Sequence, residues 1–229
     1  MLQGKLIVVD GIDGSGKATQ TKLLIERLQG EGVRVMTLDF PQYYDNFFGK
    51  LIGECLKGAY GDFIGIHPKI VSVLYAADRW ESSKKIQGWL DDGYTVVLDR
   101  YVSANQIHQA GKIMDEEERK DFLQWLATME YEIMSIPKPD LTVYLDVPIE
   151  TVEKLLVGKE ESYGKDGEDQ AEKDFIHQEY SRQSAMGMAN TKEDWVMISC
   201  VSEGELQSRK EIHEQIYAKV KEYFSAKEI

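Results

Sequence analysis

Cysteine is nearly absent from this chain: two residues, Cys55 and Cys200, in 229. They stand far apart and lack the short spacing of metal ligands, so the expectation is two reduced, mostly buried thiols in a cytoplasmic protein. No stretch approaches the roughly 18 consecutive apolar residues of a membrane-spanning helix. The N-terminus has no basic region followed by an apolar stretch, so no secretory signal is expected, and Lys5–Asp10 already reads as a core strand. Positive charge is scarce too. Lys and Arg total 27 against 40 Asp and Glu, for a net charge of −13. That balance speaks against nucleic acid as a partner, and the lack of a basic amphipathic helix speaks against a membrane surface. The arginines are Arg27, Arg34, Arg79, Arg100, Arg119, Arg182 and Arg209. With so few, each one beside a motif is informative.

What is present is ordinary for a globular protein: 42% apolar and 29% charged residues, in a length that suits one large domain. Short apolar runs at Lys5–Asp10, Val33–Asp39, Tyr94–Leu98, Leu141–Asp146 and Trp195–Ser199 read as five strands. Helical patterns fall between them: Thr19–Gln29 closed by Gly30 and Gly32, Phe47–Leu56, Pro68 to about Leu90, a helix opened by Asp115 and the acids after it, one from Pro148, and one from about Glu172 to Ala189. Residues 158–170 are polar and weakly patterned, and read as a loop. Ser202-Glu-Gly-Glu205 has the form of a capping box and is expected to open the last helix. Alternation of this kind implies a single α/β domain over 1–229, with a parallel sheet covered on both faces.

Gly11-Ile-Asp13-Gly14-Ser15-Gly16-Lys17-Ala18-Thr19 lies between the first strand and the first helix. Glycines there let backbone amides turn inward around phosphate oxygens, and the helix N-terminus adds partial positive charge. Lys17 is positioned to neutralise charge on the β- and γ-phosphates of ATP. The usual hydroxyl after the lysine is replaced by Ala18, and Thr19 supplies one a residue later.

Asp99-Arg100 closes a buried strand, at the edge where open parallel sheets bind ligands. Asp99 is a candidate magnesium ligand, and Arg100 a candidate bridge between acceptor and donor phosphates. Tyr75 and Arg79, four residues apart on a helix, share a face. A ring beside a donor-only guanidinium suits a planar base.

Taken together, Gly11-x-Asp-Gly-x-Gly-Lys17, Phe40-Pro-x-Tyr43, Tyr75-x-x-x-Arg79, Asp99-Arg-Tyr101 with Asn105, and Asp169-x-x-Glu172-x-Asp174 resemble the bacterial thymidylate kinases in order and spacing. The resemblance runs from residue 5 to about 190. It implies a P-loop, three-layer α/β/α sandwich with a five-stranded parallel sheet and a lid at about 157–171. It also implies transfer of the ATP γ-phosphoryl group to dTMP with Mg2+, and a homodimer. By the same resemblance Tyr75 stacks on thymine, Arg79 bonds its O4, Asn105 meets the O4/N3–H edge, Arg100 grips the monophosphate, and Phe40 and Tyr43 flank sugar and phosphate. Asp13 lies near the acceptor and, with Asp99, near the metal; Asp169 and Glu172 lie at the base of the lid. The amide of Asn105 can flip, so by itself it would not reject cytosine.

Departures from the family pattern accompany the match. Besides Ala18, Gln42 stands where an arginine is common, and His108 where a tyrosine often crowds the ribose 2′ position. Residues 150–174 contain no arginine. Lys159 or Lys165 is the candidate substitute for a lid arginine, with Arg182 as the alternative. Two other readings remain open at this stage. One is a deoxynucleoside kinase, with Asp39 as base, or another monophosphate kinase. The other is a nucleotide-binding homologue without turnover.

Overall fold

The computed structural model describes residues 4–152 and 175–227. The proposed lid, its lysines, Asp169 and Glu172 all lie outside the described residues. Five parallel strands, β1 (Lys5–Gly11), β2 (Val35–Asp39), β3 (Thr95–Asp99), β4 (Leu141–Asp146) and β5 (Trp195–Ser199), form one sheet in the order β2-β3-β1-β4-β5. Successive side chains of β1 point to opposite faces, and both faces are dry. Leu6 and Val8 pack with Val96, Leu98 and Ile86, while Ile7 and Val9 pack with Leu24, Val143 and Ile216. This double burial is why the central strands β1, β3 and β4 are apolar at most positions rather than at alternate ones.

Helix α1 (Lys17–Gly30) covers the second of these faces together with the C-terminal helix, and α3 (Pro68–Asp91) covers the first. Between α1 and α3, α2 is Phe47–Leu56. After β3 a short helix α4 (Val102–Ala104) runs into a π-helical turn, Asn105–Gln109, and a 3-10 turn, Ala110–Lys112. Helix α5 (Glu116–Ala127) passes into a second π-helical turn at Thr128–Ile133. Helix α6 is Phe175–Thr191, and α7 is Arg209–Lys227. Asp115 caps α5 by accepting from the amide of Glu118 at 2.8 Å, with three acids in the first turn.

Two strands begin later than their apolar runs suggest, for one reason. The amides of Gly32 and Val33 bond back to the carbonyls of Gln29 and Leu28, and those of Gly93 and Tyr94 to Leu90 and Trp89. These residues close helices α1 and α3, with Gly32 and Gly93 at φ +82° and +76°, before the strands can start.

The expected start of the last helix is corrected. Ser202 and Glu205 pair in a small antiparallel hairpin, β6 (Val201–Ser202) and β7 (Glu205–Leu206), turned by Glu203 and Gly204 with φ +53° and +84°. The capping box is instead Ser208-Arg-Lys-Glu211. The amide of Glu211 donates to Ser208 Oγ at 3.2 Å, and that of Ser208 donates to Glu211 Oε2 at 2.8 Å. Both tetrapeptides fit the pattern, but Gly204 favours a turn with left-handed backbone over a helical first turn.

Candidate active site

The sheet order makes β3 and β4 the neighbours of β1, so the loops leaving β1 and β3 share one edge. Val9 lies opposite Asp99, and the amide of Arg100 donates to the carbonyl of Val9 at 3.0 Å. Arg100 takes a left-handed backbone, φ +61°, unusual for a non-glycine residue. Leaving the strand this way, its guanidinium meets the Asp13 carboxylate in the phosphate loop.

The loop itself turns on Gly14 and Gly16, at φ +79° and +87°. Space at Gly11 is tight, since a Cβ there would lie 2.5 Å from Ser15 Oγ and 3.0 Å from the Leu145 carbonyl oxygen. Lys17 Nζ reaches back over the loop, donating to the Ile12 carbonyl at 3.2 Å and lying 3.4 Å from Asp13 Oδ1. One carboxylate is thus shared by two cations. Burial alone would raise the Asp13 pKa, but Arg100 and Lys17 together hold it far below the carboxylate range. Burial, then the Arg100 charge, lowers the Lys17 pKa.

A single cleft opens beside this cluster. Asp13, Phe40, Tyr43, Tyr75, Arg79, Arg100, Asn105 and His108 all line it, so every described residue expected at the acceptor site is brought together. Sequence reasoning missed other parts of the wall: Phe63, whose ring centroid is 6.1 Å from that of Tyr75, and His177 of α6, 6.0 Å from His108. Burial and the nearby Arg100 charge push the His108 pKa down to about 3, so this imidazole is neutral, and its Nε2 has no protein partner.

Arg79 is not a free surface cation. It is 2% exposed and grips Glu130 through two 2.7 Å bonds, Nε to Oε2 and Nη2 to Oε1. Glu130, fully buried, also accepts from Asn105 Nδ2 at 3.0 Å. Nothing in the sequence reading singled it out, although a signal exists. Phe122, Leu126 and Glu130 recur every four residues, and an acid on an apolar stripe needs a buried partner.

The loop before α2 is held from α3. Asp78 accepts from the amide of Gln42 at 3.0 Å and from Asn46 Nδ2 at 2.9 Å. Gln42 spends its own amide on Asp39. Gly49 allows this packing, since a Cβ there would lie 2.1 Å from the Gln42 carbonyl oxygen.

Asp99 faces a different groove, lined also by Ala18, Thr21, Asp39 and Gln42. Burial raises its pKa, against the neighbouring Lys17 and Arg100 charges. Among the described residues, no three acids, histidines or cysteines converge as a closed metal site. Arg182, the alternative to a lid arginine, is held by Asp146 at the end of β4 through bonds of 2.6 and 3.1 Å.

A family model described as thymidylate kinase matches residues 9–216. The thymidylate kinase of Mycobacterium tuberculosis is 35% identical over 146 residues, 63% of this chain and 67% of that one. The probable thymidylate kinase of Pyrococcus abyssi is 36% identical over 150 residues, 65% of this chain and 67% of that one. Among solved structures, the thymidylate kinase of Candida albicans aligns with a TM-score of 0.72 over 96% of this chain and 92% of that one. At 22% identity, that likeness speaks to the fold.

Proposed function

The chain belongs to the thymidylate kinase family, and on that premise we propose that the cleft between α3 and the Asn105–Gln109 turn takes dTMP while the phosphate loop takes ATP. As a member of that family it is a nucleoside-monophosphate kinase, a transferase that forms dTDP and ADP from dTMP and ATP in nucleotide biosynthesis. The observation that carries the site assignment is the Asp13–Arg100 contact, which belongs at once to the phosphate loop and to the wall of the cleft.

In this reading an oxygen of the dTMP phosphate attacks the γ-phosphorus of ATP in line. The bond from that phosphorus to the β–γ bridging oxygen breaks, and ADP leaves with the electron pair. The attacking oxygen is already anionic, so no side chain need remove a proton. The protein's part is alignment and charge neutralisation. Backbone amides from Gly11 to Thr19, with Gly14, Ser15, Gly16 and Ala18 between, cradle the donor phosphates. Lys17 neutralises charge on the migrating group, and Arg100 holds the acceptor phosphate toward it. Tyr75 and Phe63 enclose the base, Arg79 and Asn105 meet its edge, and Phe40, Tyr43, Asp13 and His108 surround sugar and phosphate.

Mg2+ fits the donor set. Asp99 and Asp39 are register partners at the ends of β3 and β2 and line one groove with Ala18, and a magnesium ion takes one or two carboxylates, water and phosphate oxygens rather than a closed protein cage. When bound, it would supply charge neutralisation on the phosphates. Asp13 is the weaker of the two candidates, being already committed to Arg100 and Lys17.

A homodimer forms part of the same proposal. Helix α3 exposes Ile70, Val73 and Trp80, 64%, 43% and 52% accessible, beside exposed Tyr60 and Ile66. Such an apolar stripe suits a second copy. By contrast, the apolar face of α5 is core, with Phe122 and Leu126 buried. No helix among the described residues is long and apolar enough to cross a membrane. Buried free thiols at Cys55 and Cys200 accord with a cytoplasmic location.

The test is a coupled ADP-release assay with ATP, Mg2+ and a panel of dTMP, dUMP, UMP, dCMP and thymidine. Selective turnover of dTMP is expected, with kcat lowered at least about 100-fold by Lys17→Ala. Phosphorylation of thymidine in place of dTMP, or tight dTMP binding without ADP formation, would overturn the reading.

A further inference from the structure

The amide of Asn105 has no freedom to flip. Its nitrogen faces two groups that can only accept, the Ser72 carbonyl at 3.2 Å and Glu130 Oε1 at 3.0 Å. Turning the amide over would set its oxygen against a carbonyl and a carboxylate, repelled by both in a buried site. The amide nitrogen is therefore spent on the protein, and Oδ1 is the group left for a ligand. The same Glu130 takes Nε and Nη2 of Arg79, leaving the Nη1 end of that guanidinium. Both Arg79 and Asn105 line the cleft, while Glu130 is completely buried behind them.

We propose that Glu130 is a specificity-determining positioning residue: by fixing Arg79 as donor and Asn105 as acceptor, it sets the hydrogen-bond polarity of the base-reading edge and so rejects cytosine. A uracil-type base presents an acceptor at O4 beside a donor at N3–H, which matches a guanidinium beside an amide oxygen. Cytosine presents a donor amino group beside an acceptor nitrogen, which mismatches at both points. Polarity of this kind cannot come from Asn105 alone, whose two ends are nearly the same shape. The carboxylate behind it, an acceptor to every neighbour, makes the choice. The inference rests on the assignment of the base to this cleft.

The experiment compares kcat/KM for dTMP and dCMP in the unsubstituted protein and in Glu130→Gln, a change that keeps side-chain volume. The glutamine amide can donate toward Asn105, so the carboxylate no longer excludes the orientation with the Asn105 oxygen inward and only the Ser72 carbonyl still opposes it. The dTMP-to-dCMP ratio is expected to fall at least about tenfold. Glu130→Asp, still an acceptor on all sides, is expected to keep the ratio even where its rate is lower. Thermal melting of each variant checks that it folds. If Glu130→Gln loses rate with both acceptors equally, or cannot be isolated folded while Glu130→Asp loses the ratio, Glu130 is structural and the inference fails. If the unsubstituted protein shows no preference for dTMP over dCMP, the failure lies instead in placing the base at this edge.

Discussion

Asp13 and Arg100, 87 residues apart in sequence, meet side chain to side chain at the mouth of the cleft, and Lys17 lies 3.4 Å from the same carboxylate. The two cations hold the folded Asp13 carboxyl far below its ordinary value of 3.8. A depressed carboxyl contributes stability that is present in full above the unfolded pKa and is lost as pH falls toward the folded one. Asp13→Asn is therefore expected to cost about 2 kcal/mol at pH 7 and to flatten the fall in stability between pH 4 and pH 2. Urea unfolding at pH 7, 4 and 3 checks both. An unchanged slope in the acid range would show that Asp13 does not carry this linkage.

His108 titrates in a different window. Arg100, Asp13, Lys17 and His177 surround it, and burial with the Arg100 charge brings it from 6.5 down to about 3. Its neutral form is favoured on folding, so its contribution is present above pH 6.5 and lost as the solution becomes more acidic. Between pH 7 and pH 5 the loss should be about 1–2 kcal/mol, reduced from the full linkage value because the ring borders an open cleft. In His108→Gln that part of the acid sensitivity should disappear, measured as the difference in unfolding free energy between the two pH values.

The Arg79–Glu130 pair gives a stability prediction with an internal control. Arg79→Met leaves the Glu130 charge buried without its guanidinium, at a cost of about 3–5 kcal/mol. Adding Glu130→Leu removes that charge and should recover most of the loss, because an apolar pair of similar size packs without it. The double variant should melt near the unsubstituted protein yet take dTMP poorly, since the base edge has lost its donor. Denaturant midpoints and KM for dTMP separate the two effects.

The start of the last helix can be tested with single hydroxyls. Ser208→Ala removes the bond to the Glu211 amide and should destabilise by about 1 kcal/mol, whereas Ser202→Ala, in the exposed hairpin, should fall within about 0.5 kcal/mol of neutral. Equal losses at both positions would count against the assigned cap.

The contrast between those two serines shows what the sequence can and cannot tell. Ser202-Glu-Gly-Glu205 and Ser208-Arg-Lys-Glu211 satisfy one pattern, and only Gly204, with its left-handed backbone, marks the first as a turn. The strands β4 and β5 were legible to the residue: β4 is a mostly apolar run buried at every position, and β5 a short apolar run set off by the polar residues before it. The starts of β2 and β3 were not, because backbone bonds closing the preceding helix are invisible in composition. That Tyr75, Arg79, Arg100 and Asn105 share one cleft was legible, the first three from their residue types and Asn105 from the family resemblance. Glu130 was not: its place on the stripe of Phe122 and Leu126 calls for a buried partner, but nothing local says that the partner is Arg79, 51 residues away.

Helix α3 carries two surfaces on one rod. Tyr75 and Arg79 look into the cleft, and Ile70, Val73 and Trp80 look out to solvent. A helix of 24 residues is about 36 Å long and stiff over that length. Whatever seats on the outer stripe therefore leans on the same rod that presents Tyr75 and Arg79 to the cleft. If a second copy covers the stripe, dilution below the dissociation constant frees the rod to rock, and KM for dTMP should rise with falling enzyme concentration while KM for ATP, set by the phosphate loop at the start of α1, stays put.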